Sequence, residues 1–234
     1  MPKKQDIIFW GIIILLFLPF FIIDEIYNFY IDFNHDHGMV MAFIKFAILA
    51  TLGEIIGQRI KTGKYIQLGF GILPRMIVWG FLGITIKMAF IIFATGVPVF
   101  LEYLGMKDAL SALTGPLNEN KIMVAFCTSA AMNLIYAPVM MTFHKITDTH
   151  ILSTGGTLAG FFKPIPFRKI FVNLNWDVMW NFIFKKTIPF FWIPAHTVTF
   201  LLPPDWQVLF AALLGIALGI ILAVADMTGE KEKT

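Results

Sequence analysis

Residues 70–101, FGILPRMIVWGFLGITIKMAFIIFATGVPVFL, form the stretch that decides the fold class. About 20 apolar residues in a helix cross the hydrocarbon core of a bilayer, so this run is more than long enough for one span. It predicts a tilted or kinked membrane helix with its bend near Pro74 or Pro98. Arg75 and Lys87 lie inside the run. A charge at the centre of a spanning helix costs about 2.5–3.5 kcal/mol, so we expect such side chains to pair or to line a cavity.

The composition of the whole chain also indicates a membrane protein. Of its 234 residues, 58% are hydrophobic and 14% are charged, whereas soluble proteins average about 25% charged residues. The mean hydropathy is +0.77. A net charge of +3 is too small to indicate nucleic-acid binding, and the single cysteine, Cys127, excludes an intramolecular disulfide.

Six apolar segments predict an all-α fold, a polytopic transmembrane helix bundle that forms one integral membrane domain over residues 1–234. The predicted spans are residues 7–23, 39–57, 70–101, 122–143, 186–202 and 206–225. The first lacks a small-residue cleavage site, so we interpret it as a retained signal anchor. Residues 170–184 carry Trp176 and Trp180 and predict an amphipathic helix in the membrane interface.

The distribution of basic residues predicts the orientation of these spans. One side of the predicted topology holds Lys3, Lys4, Arg59, Lys61, Lys64, Lys145, Lys163, Arg168, Lys169, Lys231 and Lys233. The other side holds Lys107 and Lys121, and its first loop, residues 24–38, has four acidic residues and no Lys or Arg. Both termini are therefore expected in the cytoplasm, and the Ile-, Phe- and Lys-rich composition favours a bacterial cytoplasmic membrane.

The embedded ionisable residues separate by predicted depth. Glu54 lies about 5 Å from the cytoplasmic end of the second span, and Arg75 lies at a similar depth in the third, which predicts an ion pair for helix packing or for a gate. Lys87 lies near the middle of its span, with no carboxylate at its depth in the other predicted spans. Lys45 and His196 both lie near the outer surface, where they are expected to face one vestibule.

Other motifs carry weaker signals. Gly53 and Gly57, like Gly215 and Gly219, form GxxxG patterns that predict close helix contacts or, for the second pair, a homo-oligomer. Two segments, His35-Asp36-His37 and His144–His150 with Asp148, contain possible metal ligands. Neither offers a complete ligand set, so solvated loops are expected and no metal or cofactor is assigned. The sequence contains no P-loop, HExxH, GxSxG or dinucleotide motif.

Parts of the chain resemble the Mpv-seventeen family, which includes the twenty-two-kilodalton peroxisomal membrane protein. Residues 132–138, MNLIYAP, resemble the family's DQxxxAP element, with Asn133 at the Gln position. The WPxxQxxNFxxVP signature is matched in part by Trp192, His196, Thr199, Phe200 and Pro204, and the G…GPxxHxW region by Gly69, Phe70, Gly71, Pro74 and Trp79. The family's Asp, its Asn and its closing WxxYLS are absent, and it is usually assigned four spans. The resemblance implies a small-solute channel with Asn133 and His196 in its polar lining.

These observations lead to three functional hypotheses. The first is a channel or passive transporter for small solutes, in which a positive lining favours anions or zwitterions. Its candidate lining residues are Lys87, Lys45, His196, Asn133, Glu54 and Arg75. The second is a structural or assembly membrane protein whose charges only pair helices. The third is a lipid-modifying enzyme that uses His144, Asp148 and His150. The expected partners are the lipid bilayer and a small polar or anionic solute.

Overall fold

Helices account for all regular secondary structure in the part of the chain that the computed structural model describes, namely the backbone of residues 4–231 and the side chains of residues 4–221. The prediction of an all-α chain is confirmed. Lys3 and Lys233, which contribute to the predicted orientation, lie outside the described residues, as do the side chains of residues 222–225 of the sixth predicted span. The chain divides into two compact units, residues 1–41 and 42–234.

The first unit contains three consecutive helices, α1 Lys4–Phe17, α2 Pro19–Ile22 and α3 Asp24–Asp36. The predicted span 7–23 is thus interrupted at Leu18, where Pro19 opens a new helix because its missing N–H is not required in a first turn. Residues 24–38, expected to be a loop, are mostly helical. Asp24 and Glu25 lie in the first turn of α3, where negative charge stabilises the helix end.

Three helices between residues 38 and 221 are long and apolar enough to cross a bilayer: α4 Gly38–Thr62, α5 Ile72–Tyr103, and α13 Pro204–Lys231 over its described part, Pro204–Ile221. A bent pair of helices provides a fourth if it is taken as one span. This pair consists of α7 Glu119–Ile135 and α8 Ala137–Ser153, with a bend of 43°. Short α6, Ala109–Ala112, lies in the connection between α5 and α7. The described residues therefore support a multi-pass membrane protein with three or four spans by length and composition.

Two predicted segments have wrong boundaries, with physical reasons. The helix α8 continues to Ser153, ten residues beyond the predicted end of the fourth span, so the residues from His144 to His150 are helical rather than a solvated loop. It ends where Gly155 and Gly156 adopt positive φ and the Gly156 N–H bonds to the Ile151 carbonyl at 2.9 Å. The bend before α8 follows from Pro138, which cannot donate to a continuing helix.

The predicted interfacial helix 170–184 is also wrong, because the chain there forms several short pieces. After α9 Leu158–Phe161 come α10 Phe167–Val172, α11 Trp176–Val178, a π-helix Met179–Trp192 and α12 Ile193–Leu201. Asn175 starts a new helix by accepting the N–H of Val178 at 3.1 Å, which separates α10 from α11 and the π-helix. The fifth predicted span, 186–202, corresponds to the second half of the π-helix together with α12.

Glycines set the closest helix contacts in the second unit. A Cβ at Gly83 would meet the Ala42 carbonyl oxygen at 2.6 Å, and one at Gly80 would meet the Phe43 ring, so α4 and α5 pack antiparallel with almost no space between them. A Cβ at Gly53 would meet the Ile216 Cα at 2.9 Å, and Gly219 lies against the Gly53 carbonyl. Gly53 and Gly219 therefore make the predicted close helix contact, whereas a Cβ at Gly215 would meet nothing within 4 Å.

Candidate functional site

The predicted ion pair between Glu54 and Arg75 is present at the centre of a polar cluster. Because α4 and α5 are antiparallel, the last turns of α4 face the first turns of α5. Arg75 Nη1 donates to Glu54 Oε2 at 2.7 Å, and the Arg75 side chain is only 7% exposed. The pairing of two embedded charges from adjacent helices is thereby confirmed.

Arg75 binds three helices and a loop together. Its Nε donates to the Phe70 carbonyl oxygen at 2.8 Å, and its guanidinium carbon lies 4.3 Å from the centre of the Phe70 ring. Its Nη2 forms a second ion pair, with Asp148 Oδ1 of α8. The other carboxylate oxygen of Asp148 lies 3.5 Å from Lys145 Nζ at the edge of the cluster. One planar guanidinium thus joins α4, α5 and α8, as the fixed fork of an arginine permits.

The second oxygen of Glu54 is also occupied. Glu54 Oε1 accepts the indole N–H of Trp79 at 3.1 Å and lies 3.3 Å from His144 Nε2, which donates when it carries the ring proton on that nitrogen. The rings of Trp79 and His144 are in contact, with their centres 4.4 Å apart. The space enclosed by Arg75, Trp79, His144 and Asp148 does not admit a water molecule. The cluster is therefore a compact network of ion pairs and charge-assisted hydrogen bonds.

Sequence reasoning missed three members of this cluster, Trp79, His144 and Asp148. Two of them had a usable signal, because His144 and Asp148 are four residues apart and share one face of a helix if α8 is continued past residue 143. The same spacing relates Arg75 and Trp79 on α5. The predicted end of the fourth span, at residue 143, hides the pattern.

A second group of charges joins α4, α5 and α13. Lys45 is buried on α4, and both the Lys87 ammonium of α5 and the Asp205 carboxylate of α13 lie within electrostatic range of it. Asp205 lies one residue before the predicted sixth span. The prediction that Lys87 has no carboxylate at its depth covers only residues inside the predicted spans and therefore does not include Asp205. Two ammonium groups and one carboxylate leave one positive charge in excess in this group.

Asn133 and His196 lie in helix–helix contacts that are separate from the charged cluster. Asn133 Nδ2 donates to the Ser129 carbonyl at 2.9 Å, and Ser129 Oγ donates to the Ile193 carbonyl at 2.7 Å, which links α7 to α12. His196 packs against Trp192, with ring centres 5.1 Å apart, and its Nδ1 lies 3.3 Å from Thr199 Oγ1. The vestibule shared by His196 and Lys45 stays a prediction, since their contacts are with different neighbours.

The histidines of the two motif segments belong to different units of the chain. His35 and His37 lie at the end of α3. His144 faces Glu54, whereas His150 Nε2 lies 3.2 Å from the Phe161 carbonyl oxygen. Within the residues that the structure describes, no three His, Cys, Asp or Glu side chains converge as metal ligands.

The two charged groups differ in what they can do chemically. The cluster around Arg75 pairs opposite charges from three helices, whereas the group around Lys45 contains two cations and one carboxylate. Comparison with protein-family models, with curated proteins and with solved structures finds no match for this chain.

Proposed function

We propose that this protein is a channel or passive transporter for small anionic or zwitterionic solutes, and that the cluster around Arg75 closes its cytoplasmic end. The observation that carries the proposal is the group formed by Lys45, Lys87 and Asp205. Two like charges within electrostatic range of one another in membrane helices repel, and helix packing does not need them. An anion that passes between the two ammonium groups lowers their mutual repulsion, so the pair of lysines would favour conduction of anions.

The cluster around Arg75 supports the proposal that the cytoplasmic end of the path is closed by ion pairs. A path for solutes needs a barrier when it is closed. Ion pairs of Arg75 with Glu54 and Asp148 link α4, α5 and α8, and the space between α5 and α8 beside Arg75 has no room for a water molecule. Removal of one carboxylate leaves Arg75 undercompensated and weakens the link to one helix. We therefore interpret the network as a gate that is held closed by ion pairs.

Helix directions in the second unit favour five crossings, to which the predicted span 7–23 adds a sixth, with both termini in the cytoplasm. The helix α5 runs antiparallel to α7 and α8, since Arg75 meets Asp148 and Thr85 meets Tyr136. The helix α13 runs parallel to α4, since Asp205 is near Lys45 and Ile216 meets Gly53. The chain must therefore return across the bilayer between α8 and α13. We infer that the π-helix and α12 make this fifth crossing, with α1 and α2 as the first. The resemblance to the Mpv-seventeen family supports the same proposal, because it implies a channel for small solutes.

Flux measurements in liposomes test this function. Purified protein is reconstituted, and efflux of chloride and of the larger anion gluconate is compared for the wild type, Lys87→Met, Lys45→Met and the paired variant E54Q/D148N. Lys107→Met, an exposed lysine in the α5–α7 connection, is the matched control. We expect the paired variant to raise flux, Lys87→Met to lower it at least about fivefold, and Lys107→Met to leave it unchanged. Flux equal to that of empty liposomes for both the wild type and the paired variant would contradict transport.

A structural role is the second candidate, and one observation favours it. Both oxygens of Glu54 and all three nitrogens of the Arg75 guanidinium have partners, as expected of a network whose task is to hold helices together. On this alternative, the paired variant E54Q/D148N lowers the thermal unfolding temperature in detergent but produces no anion flux. Flux and unfolding temperature measured on the same preparations therefore separate the two functions.

A further inference from the structure

An apolar groove runs along the outside of α5 and α8 in the second unit. It has a volume of about 540 Å³ and is lined by side chains that include Val78, Leu82 and Met88 of α5 and Val139, Met140 and Phe143 of α8. Phe161 and Ile165 close one end of it. Polar groups along it satisfy one another, since Thr85 Oγ1 and Tyr136 Oη are 2.7 Å apart and the Thr147 hydroxyl donates to the His144 carbonyl. The groove therefore offers a ligand almost nothing but hydrocarbon contact.

The length of the groove matches one leaflet of a bilayer. It follows α5 from residue 78 to residue 88 and the α8 side from residue 136 to residue 147. At a rise of 1.5 Å per residue these distances are both about 15 Å. The hydrocarbon core is about 30 Å thick, so the groove spans the depth of a single layer of acyl chains. The lipids that surround a membrane-spanning helix supply acyl chains to such a groove.

A basic patch adjoins the end of the groove at Ile165. It is a second depression, of about 560 Å³, lined by Pro166, Phe167, Arg168, Lys169, Val172 and Asn173. The two depressions are neighbours, because Ile165 of the groove precedes Pro166 of the patch and the ring of Phe143 lies 6.5 Å from that of Phe167. Arg168 and Lys169 are both exposed. An apolar groove of one leaflet's depth thus lies next to a depression that carries two exposed cations.

We propose that the groove and the basic patch together bind one anionic phospholipid, with an acyl chain in the groove and the phosphate at Arg168 and Lys169. Basic pockets beside membrane helices attract anionic headgroups, and a neutral headgroup has no net charge to offset these two cations. Exposed Phe167, Phe171 and Trp176 surround the patch, as aromatic side chains do at the headgroup level. The site is independent of the transport function proposed above.

Native mass spectrometry of the full chain tests the site. Protein purified in detergent is exchanged with phosphatidylglycerol or phosphatidylcholine, and bound lipid is counted after dilution into lipid-free detergent. We expect one phosphatidylglycerol per chain to be retained and phosphatidylcholine to be lost. Each basic residue near a membrane surface contributes about fivefold to anionic-lipid affinity, so R168Q/K169Q is expected to lower retention about 25-fold. The matched control, K185Q/K186Q, removes an exposed basic pair outside both depressions and should leave retention unchanged.

A second pair of variants tests the groove itself. Val139→Trp fills the groove at an exposed position, whereas Val99→Trp adds the same bulk to another exposed apolar position, on α5. We expect Val139→Trp to abolish lipid retention and Val99→Trp to preserve it, with unfolding temperatures of both close to that of the wild type. Equal retention of the two lipids, equal losses in both basic-pair variants, or a dimer in place of bound lipid would overturn the proposal.

Discussion

At the scale of single residues, Arg75 is the side chain on which most of the buried charge depends. It forms ion pairs with two carboxylates, Glu54 and Asp148, and its own side chain is only 7% exposed. A buried pair adds little net stability over an apolar replacement, yet removal of one partner is expensive because the other charge remains buried. Loss of Arg75 should therefore cost more stability than loss of either carboxylate, because it leaves both Glu54 and Asp148 without their cation.

Replacement of Arg75 by Met should destabilise the protein by about 3–5 kcal/mol, since both carboxylates lose their main partner. The triple variant R75M/E54Q/D148N should recover most of that loss because no buried charge is left. Thermal or denaturant unfolding in detergent measures both. Lys145→Met is the control: its side chain is 50% exposed, so its loss should change stability by less than about 1 kcal/mol. A similar cost for Lys145→Met and Arg75→Met would contradict this account of the cluster.

At the scale of helices, small residues decide how α4 and α5 meet. Apolar side chains gain nothing by leaving lipid for one another, so membrane helices associate through close packing that Gly allows. Gly83 lies against the Ala42 backbone and Gly80 against Phe43, which brings Glu54 within reach of Arg75 further along the same pair. The glycine contacts and the ion pair are thus two parts of one interface.

Gly83→Ala should lower stability by about 1–3 kcal/mol, because the added Cβ would lie 2.6 Å from the Ala42 carbonyl oxygen and 2.7 Å from the Phe46 Cβ. Gly96→Ala lies on the same helix with no atom within 4 Å of its Cβ, and Ala favours a helix over Gly by about 1 kcal/mol. It should therefore be neutral or stabilising. Unfolding temperatures in one detergent compare the two, and equal destabilisation would argue against the α4–α5 contact.

At the scale of the whole second unit, the direction of each helix decides the topology. The helices α4 and α13 run in parallel, and α7 with α8 runs antiparallel to α5. The segment between α8 and α13 is divided into several helices, none of which is long enough to cross a bilayer alone. Its π-helix and α12 nevertheless pack antiparallel to α7 and the start of α8, since Ser129 of α7 meets Ile193 and Ala137 of α8 lies in a cluster with Ile188.

Labelling of single cysteines measures this topology. In a Cys127→Ser background, Ser153→Cys, Pro203→Cys and Lys107→Cys are treated with a membrane-impermeant maleimide in right-side-out and inverted vesicles. We expect Lys107→Cys and Pro203→Cys to react from one side and Ser153→Cys from the other, because the π-helix and α12 cross between residues 153 and 203. Reaction of Ser153→Cys and Pro203→Cys from the same side would mean that this segment re-enters instead of crossing.

The position of each charged residue within its predicted span is enough to predict the ion pair between Glu54 and Arg75. Glu54 and Arg75 each lie a few residues from the same end of their spans, which predicts their pairing, and the structure places them 2.7 Å apart. Asp148 and His144 escape this reasoning because the apolar run ends at residue 143, before the glycines that terminate α8. The predicted interfacial helix fails for a related reason, since the cap at Asn175 interrupts a segment whose aromatic pattern alone favours one helix.

Hydropathy by itself determined that this protein is helical and suited to a membrane, because an apolar run in lipid must satisfy its backbone internally and a helix does so without partners. The same local rule located α4, α5 and α13. Only the tertiary structure decided which charges meet. Whether Arg75 reaches Asp148 as well as Glu54, and whether Lys45 faces Lys87 and Asp205, depends on the rotation and packing of helices far apart in the chain. These charge pairings depend on contacts between helices, at glycines and carboxylates, and the hydrophobic pattern of a single segment does not predict such contacts.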